Sequence, residues 1–215
     1  PNKKPFNFIK YKNKAGDSLS LSNDRIISLL EDNNKNIWVG TSGGGLNMFN
    51  IKNNSFLRVK EATPSIGDFV FNISKTSDKE VLLISGSNGV VKININSKII
   101  TPIIYKDKNG VAENSTITLC SYEDKFKNIW IGTEGDGLFY YNTETKKSIR
   151  YGADEGLPNQ VIYTILPDDY NNLWFSTNKG LSRFSIETRQ FKNFDVSDGL
   201  ISNEFNYNSK IKLEN

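Results

Sequence analysis

The sequence predicts an all-β protein: a β-propeller fragment of four-stranded antiparallel blades, about four of them complete, with partial strands at both ends. Three observations predict it. A tryptophan-centred segment recurs at residues 36–50, 128–142 and 172–184, with a worn copy at 81–93 in which Leu83 takes the tryptophan's place. The steps Trp38 to Leu83, Leu83 to Trp130 and Trp130 to Trp174 are 45, 47 and 44 residues. Helical periodicity is absent, and short alternating runs rich in β-branched and aromatic residues dominate instead. Strand-built repeats of about 40–50 residues point to propeller blades.

Each repeat divides into four strands. Apolar runs at 26–30, 117–122 and 161–166 supply the first. Turns rich in Asp and Asn follow at 31–35, 123–127 and 168–171. Such residues cap their own backbone and tolerate left-handed dihedrals, so they read first as hairpin chemistry. The second strand carries the tryptophan, at a register best explained by packing between blades. A glycine-rich turn leads to the third strand, at 46–49, 90–93, 138–141 or 181–184, and a polar turn to the fourth, at 55–59, 99–104, 148–151 or 190–194. The connectors 154–161 and 197–204 share a Gly-Leu pair followed within three residues by Asn (Asn159, Asn203), a turn that re-enters the ring at the next blade. One domain over 1–215 is expected, with repeats at 24–60, 69–105, 116–152 and 161–195 and part-blades at 1–15 and 204–215. Residues 6–11 read as an outer strand and 205–213 as the first strand of another blade. Open edges at these ends invite association, so completion of the ring by further blades or by a second copy is expected.

Bulk properties narrow the chemistry. The 215 residues are 37% hydrophobic, enough for a sizeable core. The net charge of +3 comes from scattered lysines, so no concentrated basic face for nucleic acid is expected. One Cys allows no intrachain disulfide, and the lack of His removes histidine-based triads and the commonest zinc ligand. No run of 18 or more apolar residues is present, so no membrane contact by this segment is expected.

Propeller geometry places the loops between second and third strands at the same end as the connectors between blades. That rim gathers Ser42, Asn88, Glu134, Asp136, Asn178 and Lys179 from the loops, and Asn23, Asn114, Asn159, Gln160 and Asn203 from the connectors. Amides and carboxylates with small residues between them suit recognition of hydroxyl groups, although tight turns demand the same residue types. Catalysis fits less well. Glu134 and Asp136 share one turn, whereas glycoside hydrolysis holds its two carboxylates on opposite sides of a bond, usually from separate elements. No spacing matches an EF-hand loop, and the glycine turns join strands instead of opening a helix, so they are not phosphate cradles. Cys120 shares its register with Ser28 and Thr164, a slot for small residues, and reads as a structural thiol. No catalytic residue, metal ligand or cofactor is therefore expected.

The repeat also resembles a known one. An Asp-rich turn, Asn-Ile-Trp-Ile-Gly-Thr at 128–133, Gly-x-Gly-Leu at 135–138, an aromatic strand, Asn-x-x-Thr and then Gly-Leu-Pro-Asn at 156–159 are similar to the two-component regulator propeller repeat. The resemblance spans about 16–215 and is weak in the second repeat, which lacks both the tryptophan and the Asp-Asn turn. Residues 204–208 resemble the entry into the last blade before the Y-shaped β-sandwich of that family. The resemblance implies the periplasmic sensor portion of a hybrid two-component receptor of the Bacteroides type. It further implies an oligosaccharide ligand and a histidine kinase located outside these residues. A protein-binding scaffold and a polysaccharide lyase or hydrolase propeller are the rival readings.

Overall fold

The computed structural model describes residues 8–59, 66–106 and 116–211. Within them the chain forms four sheets, each a meander of four antiparallel strands taken in sequence order. The first blade is β1 (Ile26–Glu31), β2 (Ile37–Thr41), β3 (Leu46–Asn50) and β4 (Ser55–Arg58). The second is β5 (Val70–Lys75), β6 (Val81–Gly86), β7 (Gly89–Asn94) and β8 (Ile100–Ile103). The third is β9 (Thr118–Glu123), β10 (Ile129–Thr133), β11 (Leu138–Tyr141) and β12 (Ser148–Tyr151). The fourth is β13 (Thr164–Pro167), β14 (Asn172–Thr177), β15 (Gly180–Ser185) and β16 (Gln190–Phe194). The first strands adjoin one another in order, β1 to β5 to β9 to β13, so the sheets stand side by side around a shared axis. This is a propeller arrangement.

The core lies between blades. Trp38 packs with Ile84, Val91 and Ile93 of the second blade, Leu83 with Ile129, Ile131 and Phe139 of the third, and Trp130 with Phe175 and Phe184 of the fourth. In the first three blades the residue at that register faces the blade that follows, which is why it is large and apolar. Trp174 is the exception in burial: it is only part-buried, stacked on Phe194 at 5.4 Å. A cavity of about 300 Å³ beside it is lined by Leu166, Trp174, Phe205 and Ile211.

Cys120 pairs across the ladder with Gly132, and Ser28 with Gly40. A Cβ on Gly132 would lie 2.6 Å from the Cys120 sulfur, so the slot admits a side chain from one strand only. In the second blade Asn72 and Ser85 occupy these positions, and Asn72 Oδ1 is buried without a hydrogen-bond partner among the described residues.

Residues 1–7 and 212–215 lie outside the described residues, so the expected end strands are described only in part. Residues 8–12 form no strand; Tyr11 instead packs its ring on Phe49 and Phe56 of the first blade. Residues 205–211 form no strand either. A first strand needs the second strand of its own blade as ladder partner, and this segment meets none. It crosses the axis instead. Asn208 Nδ2 donates to the carbonyls of Ile27 (3.0 Å) and Phe71 (2.9 Å), and Lys210 Nζ to that of Ile165 (3.0 Å). Three inner-edge carbonyls, from the first, second and fourth blades, thereby gain donors.

Candidate functional site at the loop end of the ring

The loops between second and third strands are glycine-rich because they turn sharply and dock on the next connector. Gly135 and Gly137 have φ of +133° and +81°, a region that side chains disfavour. Their N–H groups both donate to the Gln160 carbonyl, at 3.2 and 2.9 Å. Glu134 forms a bridge with Val161, and Ser42 forms the equivalent bridge with Phe69. In the fourth blade Gly180 N–H donates to the Asn203 carbonyl at 2.7 Å. Loops and connectors therefore share one end of the ring.

The expected rim residues divide into two groups. Connector side chains are engaged in holding turns. Asn23 Oδ1 accepts from Arg25 N, Asn159 Oδ1 from Val161 N at 2.8 Å, and Asn203 Oδ1 from Val196 N at 3.0 Å. Gln160 Oε1 accepts from Arg150 Nη2 at 2.6 Å, while Arg150 Nε donates to the Asp136 carbonyl. Asn114 lies outside the described residues. Among the loop residues, Asn178 Oδ1 accepts from the Tyr163 hydroxyl at 2.8 Å. The side chains of Ser42, Asn88, Glu134, Asp136 and Lys179 have no hydrogen-bond or ion-pair partner among the described residues. Asn88, Glu134 and Lys179 are exposed.

Beside these groups lies an aromatic cluster that the pattern of polar turns does not reveal. Phe69 stacks on Phe71 (6.2 Å, 15°), Phe71 on Tyr207 (5.5 Å, 27°), and Tyr163 meets Tyr207 edge-on at 5.2 Å. Burial, then the charge of Glu134 and the neighbouring Tyr163, raise the Tyr207 hydroxyl's pKa. The aromatic pair at 69 and 71 is visible in the sequence as an alternation; the segment at 207 is not, because nothing local says that it folds back to the axis.

Nucleophilic and metal chemistry find little here. Burial pushes the Cys120 thiol up to about 12, against a small opposing effect of Lys210 and a backbone contact. A thiol so protonated and enclosed is a poor nucleophile. Among the described residues no cluster of three His, Cys, Asp or Glu side chains exists, and no helix is long and apolar enough to cross a membrane.

Comparisons agree with this architecture. The two-component regulator propeller model matches residues 20–43, 113–135 and 156–179. Histidine kinase P4 of Formosa agariphila is 30% identical over 192 residues, which is 86% of this chain and 14% of that protein. The chain thus spans about a seventh of the length of that relative. Among solved structures, the extracellular domain of BT4673 of B. thetaiotaomicron, described as a one-component system, aligns with a TM-score of 0.72 at 19% identity. That alignment covers 91% of this chain and 28% of the other. A catalytically inactive histidine-to-alanine variant of virginiamycin B lyase from Staphylococcus aureus, bound to quinupristin, aligns with a TM-score of 0.61 at 16% identity, covering 86% and 59% of the two chains. The fold is therefore shared by the extracellular domain of a one-component system and by a lyase, and does not by itself assign an activity. The repeated sequence is the narrower criterion, and by it three segments of the chain match the two-component regulator propeller repeat.

Proposed function

We propose that this chain is a non-catalytic part of a periplasmic sensor, belonging to a hybrid two-component receptor whose histidine kinase lies in other residues. The matched repeats and the similarity to a histidine kinase support the receptor context. Its ligand is an oligosaccharide bound at the loop end of the ring. The observation that carries this is the set of unpartnered side chains on successive loops: Ser42, Asn88, Glu134, Asp136 and Lys179. Convergent donors and acceptors not consumed by the fold are what a hydroxyl-rich ligand needs. Catalysis is disfavoured by the chemistry present. Glu134 and Asp136 stand two residues apart in one loop, and the chain has no histidine, the residue whose replacement gave the inactive lyase variant.

Neighbouring blades, from the same receptor or a second copy, cover the Trp174 face. Trp38 and Trp130, at the same register, are 0% and 2% exposed because a following blade lies over each. Calorimetric titration with a panel of oligosaccharides tests the ligand reading: saturable binding with no product formed is expected. Depolymerised product would overturn the non-catalytic assignment, and no heat with any member would overturn the glycan assignment.

A further inference from the structure

We infer that the sugar is seated on an aromatic ledge at the axial edge of the second blade, formed by Phe69, Phe71 and Tyr207, and that it is a neutral pyranose and not a uronate. The inference rests on the glycan reading above and locates its contact surface.

The second blade differs from its neighbours where it faces the axis. Phe69 is the residue whose carbonyl accepts from the first N–H of the glycine turn; Arg25 and Ile117 hold that place in the first and third blades. Phe71, two residues on, stands where the register puts Ile27 and Leu119. The aromatic pair is thus particular to this blade and is not part of the repeat's packing scheme. Phe69 is 41% exposed and Tyr207 is 40% exposed, although both belong to a cluster of rings. Stacked in series, the rings cover one another's inner faces, and the partly exposed Phe69 and Tyr207 at the two ends leave apolar area for the C–H face of a pyranose to pack against. Buried core aromatics such as Phe139 and Phe184 offer none.

The surroundings supply the polar half of such a site. Ser42 is bridged to Phe69, and Ser87 Oγ accepts from Phe69 N at 3.5 Å, so the first two loops abut the ledge. Glu134 acts electrostatically on Tyr207, and the exposed Asp68 precedes Phe69. Carboxylates accept from sugar hydroxyls and repel a uronate carboxylate. Tyr163, held by Asn178, closes the far side of Tyr207.

The test uses the 215-residue chain and three tetrasaccharides: a β-glucan, a β-xylan and an oligogalacturonide. Phe69→Ala is the principal variant, since its ring is largely exposed and its loss leaves the sheet intact. Tyr207→Phe keeps the ring and removes only the hydroxyl. Expected are binding of a neutral tetrasaccharide, at least tenfold weaker binding by Phe69→Ala, and a tyrosine difference spectrum on saturation that Tyr207→Phe lacks. Unchanged affinity in Phe69→Ala, with wild type still binding, would overturn the ledge and leave the glycan reading standing. Preference for the oligogalacturonide would overturn the neutral-sugar assignment. Silence of wild type toward all three would overturn the ligand class itself.

Discussion

The indole N–H of Trp38 donates to Oδ2 of Asp32 at 2.8 Å, while Oδ1 of the same carboxylate accepts from the N–H groups of Asn34 and Asn36. One side chain thereby caps the turn between first and second strands and satisfies the single polar atom of the buried inter-blade residue. The pair recurs as Trp130 with Asp124 (3.1 Å) and Trp174 with Asp168 (3.0 Å). In the second blade both members change together: Thr76 stands in the aspartate's place and donates to the carbonyls of Asp78 and Val81, and the Leu83 side chain has no N–H to satisfy.

Removing the acceptor strands a buried donor and uncaps a turn at once. Asp32→Ala is expected to cost about 2–4 kcal/mol, as for loss of a charged hydrogen-bond partner together with a cap. Asp168→Ala should cost less, because Trp174 is only part-buried and water can reach its indole. Urea denaturation of the two variants checks the order; equal and small losses would show that the pair is ornamental.

The same carboxylates set an acid limit. Burial acts to raise the pKa of Asp32 and Asp168, but hydrogen bonds from the indoles, the Asn36 and Asn172 side chains and the turn backbone outweigh it, so both lie below the ordinary value. A group whose pKa is depressed in the folded state binds fewer protons there than when unfolded. Its contribution is full above the unfolded pKa, about 3.9, and is lost as pH falls through the folded value. Melting temperature should therefore be flat above about pH 5 and fall below pH 4, with a shallower fall in Asp32→Asn. A melting temperature that rises on acidification would contradict this.

The repeat was legible because its packing residue is tied to its turn residue: Asp and Trp six apart, followed by a glycine loop, can be read without a structure. Even the second blade could be placed, since Leu83 preserves the register although it carries no polar anchor. The binding end was less legible. Asn159, Gln160 and Asn203 have the residue types of a polar site, yet their amides are consumed in turns and by Arg150, which the sequence pattern does not disclose. Tyr207 and Asn208 lay in a segment whose apolar alternation suggests a strand. Their position at the axis follows from contacts with residues more than 130 positions away, beyond the reach of local pattern.

Cys120 gives a direct probe of blade packing. The thiol is 1% exposed, its sulfur is a weak donor to the Ile162 carbonyl at 3.5 Å, and burial holds its pKa near 12. Since the thiolate is the reactive form, a colorimetric disulfide reagent at pH 8 should label the folded chain at least a hundredfold more slowly than the urea-unfolded one. Rapid stoichiometric labelling under native conditions would mean that the third and fourth blades separate readily.

Asn208 joins two blades through one amide. Its Nδ2 reaches the carbonyls of Ile27 and Phe71, and its Oδ1 accepts from Asn72 Nδ2 at 3.2 Å. With Asn72 Oδ1 already lacking a partner among the described residues, loss of Asn208 would take the remaining hydrogen bond from the Asn72 amide there and leave two inner-edge carbonyls without this donor. Its φ of +54° adds a conformational preference for Asn or Gly. Asn208→Ala is expected to destabilise by about 2–3 kcal/mol from lost hydrogen bonds, plus about 1 kcal/mol of backbone strain. Asn208→Gly recovers only the strain, so the gap between the two variants separates conformation from bonding. Hydrogen exchange should quicken in both variants at amides of β1 and β5, not at those of β14 and β15. If Asn208→Ala denatures within about 0.5 kcal/mol of wild type, the segment merely rests against the axis and does not fasten the first blade to the second.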